Sequence, residues 1–244
     1  MRKDCLAIFD FDGVIVETER TTFGLYREIL PAYSIDLDEA DFSKKVGRKS
    51  IDFLREVMGE SFDESLAMEI IQKKRRMFLN DIPRYLQPLP GAFALLKACA
   101  EEGILMAIGS QNERELLERA VDVFGIRHYF RCIASLQDIQ HKKPNPEIFC
   151  LVMTRIGLSP SQSIVIEDSP HGIEAARSAG CVAVGITTAF PPEKLARAHH
   201  ILTSMEEASP VLLRQWVASG SGGTAGEAAM RTCASPTVAS CRRS

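Results

Sequence analysis

Short apolar runs recur along the chain and alternate with stretches of helical periodicity. The runs are CLAIF (5–9), ILMAIGS (104–110), SIVIED (163–168) and CVAVGI (181–186), with RCIAS (131–135) as a weaker candidate. They are apolar almost throughout rather than at alternate positions, which is typical of strands that are covered on both faces. The pattern therefore predicts the buried strands of a parallel sheet.

The stretches between these runs have the spacing of amphipathic helices. They read GAFALLKACAEEG, ERELLERAVDVFG and PEIFCLVMTRIG, and each closes with a glycine that can end a helix. Strands that alternate with helices in this way predict an α/β fold with a doubly wound parallel sheet.

Residues 16 to about 86 interrupt the alternation. This stretch is charged and has apolar residues at helical spacing without a buried strand pattern, so it predicts a smaller helical insertion. Residues 1–15 and 87–217 then form the core domain, with LPG (89–91) marking the return to it. The final segment, 218–244, consists mainly of Gly, Ser, Ala and Thr and predicts a disordered tail.

Composition and charge narrow the class of protein. A net charge of -3 and a charged fraction of 25% provide no basic field for nucleic acid or for an acidic membrane. No apolar run approaches the roughly 20 residues of a membrane span, and the start of the chain, MRKDCLAIFD, reaches Asp10 too early for a signal peptide. The 7 cysteines form no CxxC pair. We expect a cytoplasmic protein, either a monomer or a simple homodimer, without nucleic-acid or membrane partners.

Polar side chains directly follow several of the predicted strands. In a parallel sheet the carboxyl ends of the strands share one edge, and ligands bind there. We expect these residues at that edge: Asp10 and Asp12 after the first strand, Ser110, Gln111 and Asn112 after ILMAIG, Glu167 and Asp168 after SIVI, and Lys143 directly before Pro144 at a turn that opens a helix.

Carboxylates that lie close together repel one another unless a cation is present. Mg²⁺ prefers oxygen ligands and commonly takes one or two carboxylates together with substrate phosphate. Asp10 and Asp168 can supply these carboxylates. Once the cation screens the repulsion between anions, Asp10 can also attack phosphorus as a nucleophile.

The other polar residues suit the remaining tasks of phosphoryl transfer. Asp12 could protonate the leaving oxygen and later take a proton from water. Ser110, the backbone N–H groups near Gln111 and the ammonium of Lys143 could hold the charge on the phosphoryl oxygens.

Four motifs resemble, in their usual order, those of the haloacid dehalogenase-like hydrolase superfamily. They are FDFDGVIVETE, IGSQN, KKPNPEIF and VIEDSPHGIEAARSAG, and the resemblance covers roughly residues 5–205. They are most similar to the phosphatase and β-phosphoglucomutase branch, which carries a helical cap after the first motif. The resemblance implies a Rossmann-like core, Mg²⁺, an aspartyl-phosphate intermediate and a mobile cap. The cap must close over the open strand edge to select the acceptor, so we expect hinges near residues 14–17 and 86–90.

The resemblance also implies a role for each matching residue. Lys142 departs from the glycine usual at that position, so the choice of Lys143 depends on its adjacency to Pro144. The implied roles are Asp10 as nucleophile, Asp12 as acid/base with its backbone carbonyl on the metal, Ser110 and Lys143 as phosphate-binding residues, and Asp168 as the metal carboxylate with Glu167 beside it. Together with the strand-end argument, we expect Gln111 to bind phosphate as well, and Asp10 and Glu167 to be further metal ligands.

The segment KKVGRKS (44–50) falls where caps of this branch carry a substrate loop. Arg48 follows Gly47 in a predicted turn and is the candidate to contact an anionic or hydroxylated substrate. Lys44 and Lys49 are expected to be solvated.

Two enzymatic readings share this chemistry. The first is a phosphatase acting on a small phosphorylated metabolite, either a sugar or a sugar-acid phosphate. The second is a phosphosugar mutase, in which a sugar hydroxyl replaces water as the acceptor. Many such mutases carry a histidine after the first motif, where this chain has Arg20, Thr21 and Thr22, and this favours hydrolysis. A third reading is a non-catalytic phosphosugar-binding protein, and the presence of all the expected acids argues against it.

Overall fold

The computed structural model of the protein describes residues 5–46 and 48–220, and the chain divides into two compact units. One unit comprises residues 1–15 and 89–244, and the other comprises residues 16–88. The last helix ends at Gly220. Residues 221–244, most of the predicted disordered tail, lie outside the described part of the chain. Within the described ranges, no helix combines the length and the apolar character needed to cross a membrane.

Strands and helices alternate along the first unit, whereas the second unit is mainly helical. The strands are β1 (Leu6–Phe9), β2 (Val16–Glu17), β3 (Gln87–Pro88), β4 (Leu105–Gly109), β5 (Phe130–Ala134), β6 (Ser163–Glu167), β7 (Val182–Ile186) and β8 (His200–Leu202). The helices are α1 (Glu19–Ile29), α2 (Phe42–Lys45), α3 (Ser50–Met58), α4 (Glu64–Asn80), α5 (Ile82–Tyr85), α6 (Ala92–Glu101), α7 (Arg114–Val123), α8 (Glu147–Ile156), α9 (Pro170–Ser178) and α10 (Pro210–Gly220).

Six strands of the first unit form one parallel sheet in the order β5-β4-β1-β6-β7-β8. In the centre, Phe9 of β1 lies opposite Ile108 of β4 and Ile166 of β6. Since β4 and β6 flank β1 on opposite sides, the strand order reverses at β1. In open parallel sheets, ligands bind beyond the strand ends at such a point. The expected α/β fold with a parallel sheet is confirmed.

The sheet is buried because helices cover both faces. Every residue of β1, β6 and β7 is buried. Ile8 and Val165 pack in one cluster with Phe149 of α8 and Ile173 of α9. Burial of each such side chain contributes about 1.5–3 kcal/mol relative to leaving it in water. This packing fixes the strand ends and therefore the start of each loop beyond them.

The second unit has its own core, in which aromatic side chains pack with aliphatic ones. Tyr26 of α1 lies against Phe53 of α3, with ring centroids 5.1 Å apart. Lys45 of α2 is buried, and its ammonium lies 2.8 Å from the carboxylate of Glu19. The charged residues of this unit therefore include at least one partly buried ion pair.

One buried carboxylate in the first unit braces the loop that follows β5. Asp138 ends a 3₁₀ turn, and its side chain is only 9% exposed. It accepts hydrogen bonds from the backbone N–H and the hydroxyl of Ser135, both at 2.8 Å. It also forms ion pairs with Arg114 of α7 and Arg155 of α8. The loop is thereby tied to the helices on either side of it.

Replacing Asp138 by asparagine should lower the free energy of unfolding at about pH 7 by about 2 kcal/mol, because an amide does not replace charge-assisted bonds. Burial alone raises the pKa of Asp138, but the hydrogen bonds from Arg155 and Ser135 outweigh it and hold this pKa below its ordinary value. A lowered carboxyl pKa contributes stability above the unfolded-state value of about 3.9 and loses it as the pH falls through the folded-state value. The difference in stability, measured by urea unfolding, should therefore shrink toward about pH 3.

Asp122→Asn is the matched control, because its exposed ion pair with Arg127 spans 3.7 Å on the surface. Such a pair contributes less than about 1 kcal/mol. Equal losses in the two variants, or a difference that does not change with pH, would contradict the role of Asp138.

Candidate active site

The loop after β1 is shaped by its first acid and by a glycine. The backbone N–H of Asp10 donates to the carbonyl of Ile166 at 3.0 Å, so pairing with β6 continues up to this residue. Gly13 has a φ of 68°, and a Cβ at this position would lie 1.9 Å from a carboxylate oxygen of Asp168. The hydroxyl of Thr188, beyond β7, donates to the Gly13 carbonyl at 2.5 Å. Glycine therefore provides both the left-handed turn and the space for a neighbouring acid.

Lys143 lies between two carboxylates at this edge of the sheet. Its ammonium donates to a carboxylate oxygen of Asp10 at 2.6 Å, to the carbonyl of Gly109 at 3.0 Å, and to the carboxylate of Glu167. The side chain is 6% exposed. Burial lowers the pKa of Lys143, but the carboxylates of Asp10 and Glu167 more than offset this, and the pKa is raised overall. Lys143 is therefore an ammonium ion in this site.

Glu167 is enclosed by the start of α9. One oxygen of its carboxylate faces Lys143, and the other accepts hydrogen bonds from the backbone and hydroxyl of Ser169, at 3.3 and 3.0 Å. A Cβ on Gly172 would lie about 2 Å from this carboxyl group. Ser169 also caps the helix, since its hydroxyl accepts from the Gly172 N–H at 3.0 Å. The helix start thus holds the orientation of Glu167.

Three carboxylates meet where β1 and β6 end. One oxygen each of Asp10, Glu167 and Asp168 can be chosen so that all lie within 4.8 Å of one another. All three residues are at most 9% exposed. Carboxylate oxygens are the donors that hard divalent cations such as Mg²⁺ prefer. The donor set therefore fits a metal ion of this kind.

The electrostatics of the cluster favour a bound cation. Burial raises the pKa of Asp10 to about 8, with further increases from Glu167 and Asp12, although Lys143 opposes the shift. Burial and the same neighbouring anions raise the pKa of Asp168 well above its ordinary value. One ammonium does not balance these acids, and a bound divalent cation would favour their ionised forms.

Ser110 and Gln111 carry donors into the same edge of the sheet from the end of β4. Ser110 is 1% exposed, and its backbone N–H donates to the carbonyl of Ala134 at 3.1 Å. Its hydroxyl oxygen accepts from the N–H of Asn112 at 3.2 Å, so its own hydrogen can be donated to a ligand. The side-chain nitrogen of Gln111 is buried and has no hydrogen-bond partner among the described residues.

The structure brings most of the predicted site residues together, and it adds partners that the sequence did not indicate. The carboxylate of Asp12 accepts a hydrogen bond from the side-chain amide of Asn112 at 2.6 Å. The sequence predicts Asn112 at this edge without indicating a role for it, and it does not indicate Thr188. Thr188 follows a buried strand, β7, so the rule that identified the other strand-end residues would have found it.

Arg48, the candidate substrate contact, belongs to the second unit. Its guanidinium forms an ion pair with Glu56 of α3, and both side chains are more than a third exposed. Its backbone N–H donates to the carbonyl of Lys45 at 3.0 Å. Its proposed contact with substrate remains a prediction.

Comparison with known proteins gives the same family as the motifs. Residues 7–186 match the model of the haloacid dehalogenase-like hydrolases. The chain is 31% identical over 183 residues to the fructose-1-phosphate phosphatase YqaB of Escherichia coli K12, covering 73% of this chain and 94% of that protein. It is also 31% identical over 179 residues to the phosphorylated carbohydrates phosphatase of Thermotoga maritima, covering 71% of this chain and 80% of that protein.

The fold has close counterparts among solved structures. The crystal structure of a putative β-phosphoglucomutase from Thermotoga maritima superposes with a TM-score of 0.72 at 29% identity, covering 85% of this chain and 98% of that one. A predicted phosphoglycolate phosphatase from Haemophilus somnus 129PT has a TM-score of 0.76 at 20% identity, covering 85% of this chain and 97% of that one. The second likeness concerns the fold alone.

Gln111 allows a test of the site that does not depend on activity. A buried donor without a partner costs about 1–3 kcal/mol. Methionine is similar in length and has no donor, so Gln111→Met should raise the free energy of unfolding of the ligand-free protein by about 1 kcal/mol. Urea unfolding measures the change, and Gln215→Met on the exposed side of α10 is the control. Unchanged or reduced stability in Gln111→Met would contradict an unsatisfied donor at this position.

Proposed function

The chain belongs to the haloacid dehalogenase-like hydrolase family, and we propose that it is a Mg²⁺-dependent phosphatase acting on a small phosphorylated sugar or sugar acid. The main observation that supports the proposal is the set of charged groups around the carboxylate of Asp10. This buried carboxylate touches the ammonium of Lys143 and lies within a group of acids that fits a divalent cation. The names of the two 31% identical relatives support the substrate class.

In the proposed first step, a carboxylate oxygen of Asp10 attacks phosphorus and the bond to the leaving oxygen breaks. This transfers the phosphoryl group to Asp10 as an acyl phosphate. The ammonium of Lys143 and the hydroxyl of Ser110 are available to donate to the phosphoryl oxygens. Mg²⁺, when bound, supplies positive charge that favours the ionised nucleophile and offsets the charge of the phosphoryl group. Its ligands would be Asp10 and Asp168, with Glu167 and the backbone carbonyl of Asp12 as further candidates.

Asp12 carries the proton in both steps of the proposed reaction. It first protonates the leaving oxygen, so the sugar departs as a neutral alcohol. It then takes a proton from water, whose oxygen attacks phosphorus and releases phosphate from Asp10. The second step returns Asp10 to a carboxylate and Asp12 to its acid form, so the cycle closes without another reactant.

Gln111 is assigned to phosphate binding on the basis of its unused buried donor. An acceptor supplied by the substrate would remove the cost of leaving this N–H group unpaired. Arg48 is proposed as a further substrate contact. Its ion pair with Glu56 is exposed, and surface ion pairs of this kind contribute less than about 1 kcal/mol. Exchanging Glu56 for an anionic substrate would therefore cost little free energy.

A second candidate function is a phosphosugar mutase. The 29% identical structure of a putative β-phosphoglucomutase favours it. The residues that replace the histidine of many mutases have local roles here. Arg20 pairs with Glu39, and the hydroxyl of Thr21 donates to Glu17. We retain hydrolysis as the main proposal.

The proposal predicts Mg²⁺-dependent release of phosphate from members of a panel of phosphorylated sugars and sugar acids, and loss of this activity when a chelator is added. Asp10→Asn should lower kcat by at least about 10³-fold, because an amide cannot act as the nucleophile. Asp122→Asn removes a surface carboxylate of the same type and should retain activity. Full turnover by Asp10→Asn would contradict the proposal.

The same panel separates hydrolysis from transfer to a second sugar. A phosphatase should release phosphate in proportion to the substrate consumed, with or without a sugar bisphosphate primer. Primer-dependent formation of an isomeric sugar phosphate, in excess of the phosphate released, would instead assign the mutase function.

A further inference from the structure

The contact between Asn112 and Asp12 joins the loops that follow β1 and β4. These strands are neighbours in the sheet, with Phe9 opposite Ile108, so their loops start side by side. The side-chain nitrogen of Asn112 lies 2.6 Å from one oxygen, Oδ2, of the Asp12 carboxylate. The contact therefore reaches the residue to which the proposed function assigns both proton transfers.

Asn112 is itself held in place on both sides of its backbone. Its N–H donates to the hydroxyl oxygen of Ser110 at 3.2 Å. Its carbonyl accepts from the N–H of Leu136 at 2.9 Å. Leu136 opens the 3₁₀ turn that Asp138 braces against α7 and α8. The amide is thus presented to Asp12 from a fixed loop.

The chemistry of an amide restricts what Asp12 can do at this contact. An amide nitrogen donates hydrogen bonds and does not accept them. While Asn112 donates to Oδ2, this oxygen cannot direct an acid proton toward the amide nitrogen. The hydroxyl oxygen of a carboxylic acid is a weaker acceptor than its carbonyl oxygen, so this hydrogen bond favours Oδ1 as the oxygen that carries the proton given to a leaving group or taken from water.

We propose that Asn112 is a positioning residue that holds the Asp12 carboxyl group in one orientation and makes Oδ1 its proton-exchanging oxygen. The inference rests on the proposed phosphatase function and assigns Asn112 no contact with substrate. Its effect should appear in the proton-transfer steps, whereas the Michaelis constant should change little because Lys143 and Ser110 remain in place.

Leaving groups of different basicity separate this role from a merely structural one. A sugar alkoxide needs a proton in order to depart, whereas p-nitrophenolate is stable as an anion. The value of kcat/KM reports the first phosphoryl transfer. Asn112→Ala should therefore lower kcat/KM for a sugar phosphate hydrolysed by the wild type by about tenfold or more, and should leave kcat/KM for p-nitrophenyl phosphate within about twofold.

Two further variants sharpen the test. Asn112→Asp keeps the shape of the side chain but replaces the donor by an acceptor, so it should change the substrate ratio at least as strongly as Asn112→Ala. In an Asp12→Ala background, Asn112→Ala should cause no further change in this ratio, because the residue through which it acts is gone. Asn80 is exposed at the end of α4, so Asn80→Ala and Asn80→Asp are matched controls.

A spectroscopic arm tests the contact without relying on turnover. In ¹⁵N-labelled protein, the side-chain amide resonance of Asn112 should shift in Asp12→Ala, while that of Asn80 should stay unchanged. An unshifted Asn112 resonance contradicts the contact. A wild type without phosphatase activity contradicts the proposed function, and this inference with it. An active wild type whose substrate ratio is the same in Asn112→Ala contradicts the inference alone.

Discussion

The site at the ends of β1 and β6 depends on a balance of charges. Buried acids repel one another there, and the ammonium of one lysine offsets part of this repulsion. Asp10, Glu167 and Asp168 lie close enough to share a cation, and Lys143 is hydrogen-bonded to two of them. Burial raises the pKa of both aspartates, so the folded protein bears an electrostatic cost that a bound cation would relieve. Buried acids whose pKa values are strongly shifted are typical of binding and catalytic sites.

The fold accommodates this cluster in two ways: glycines leave room for the carboxyl groups, and hydrogen bonds orient the residues around them. Gly13 and Gly172 each lie where a Cβ would overlap a carboxyl group of the cluster. Beyond them, Ser169 holds Glu167, and the Asp138 brace holds the turn that contacts Asn112. The acids, the phosphate-binding candidates and the proposed acid/base are therefore oriented by loops that are themselves hydrogen-bonded to neighbouring loops or helices.

The sheet could be predicted from the sequence, because parallel strands that are covered on both faces consist of continuous apolar runs such as CLAIF and SIVI. Sequence reasoning missed β8, whose three residues include His200 and form no apolar run. It predicted that Asp10, Ser110 and Asp168 share one edge, because the carboxyl ends of parallel strands do, and it placed Lys143 there from the turn at Pro144. It could not foresee that Asn112 would face Asp12 or that Lys45 would be buried against Glu19, because these contacts depend on side-chain directions in loops and on packing between helices.

The covalent step at Asp10 is the centre of the account, and mass spectrometry tests it most directly. The protein is mixed with Mg²⁺ and a sugar phosphate that it hydrolyses, the reaction is quenched in acid during a single turnover, and the protein is then digested. The account predicts that the peptide containing Asp10 transiently gains the mass of one phosphoryl group, and that the corresponding peptide of Asp10→Asn does not. A phosphoryl group found on another residue, or turnover without any modification of Asp10 across the time course, would contradict it.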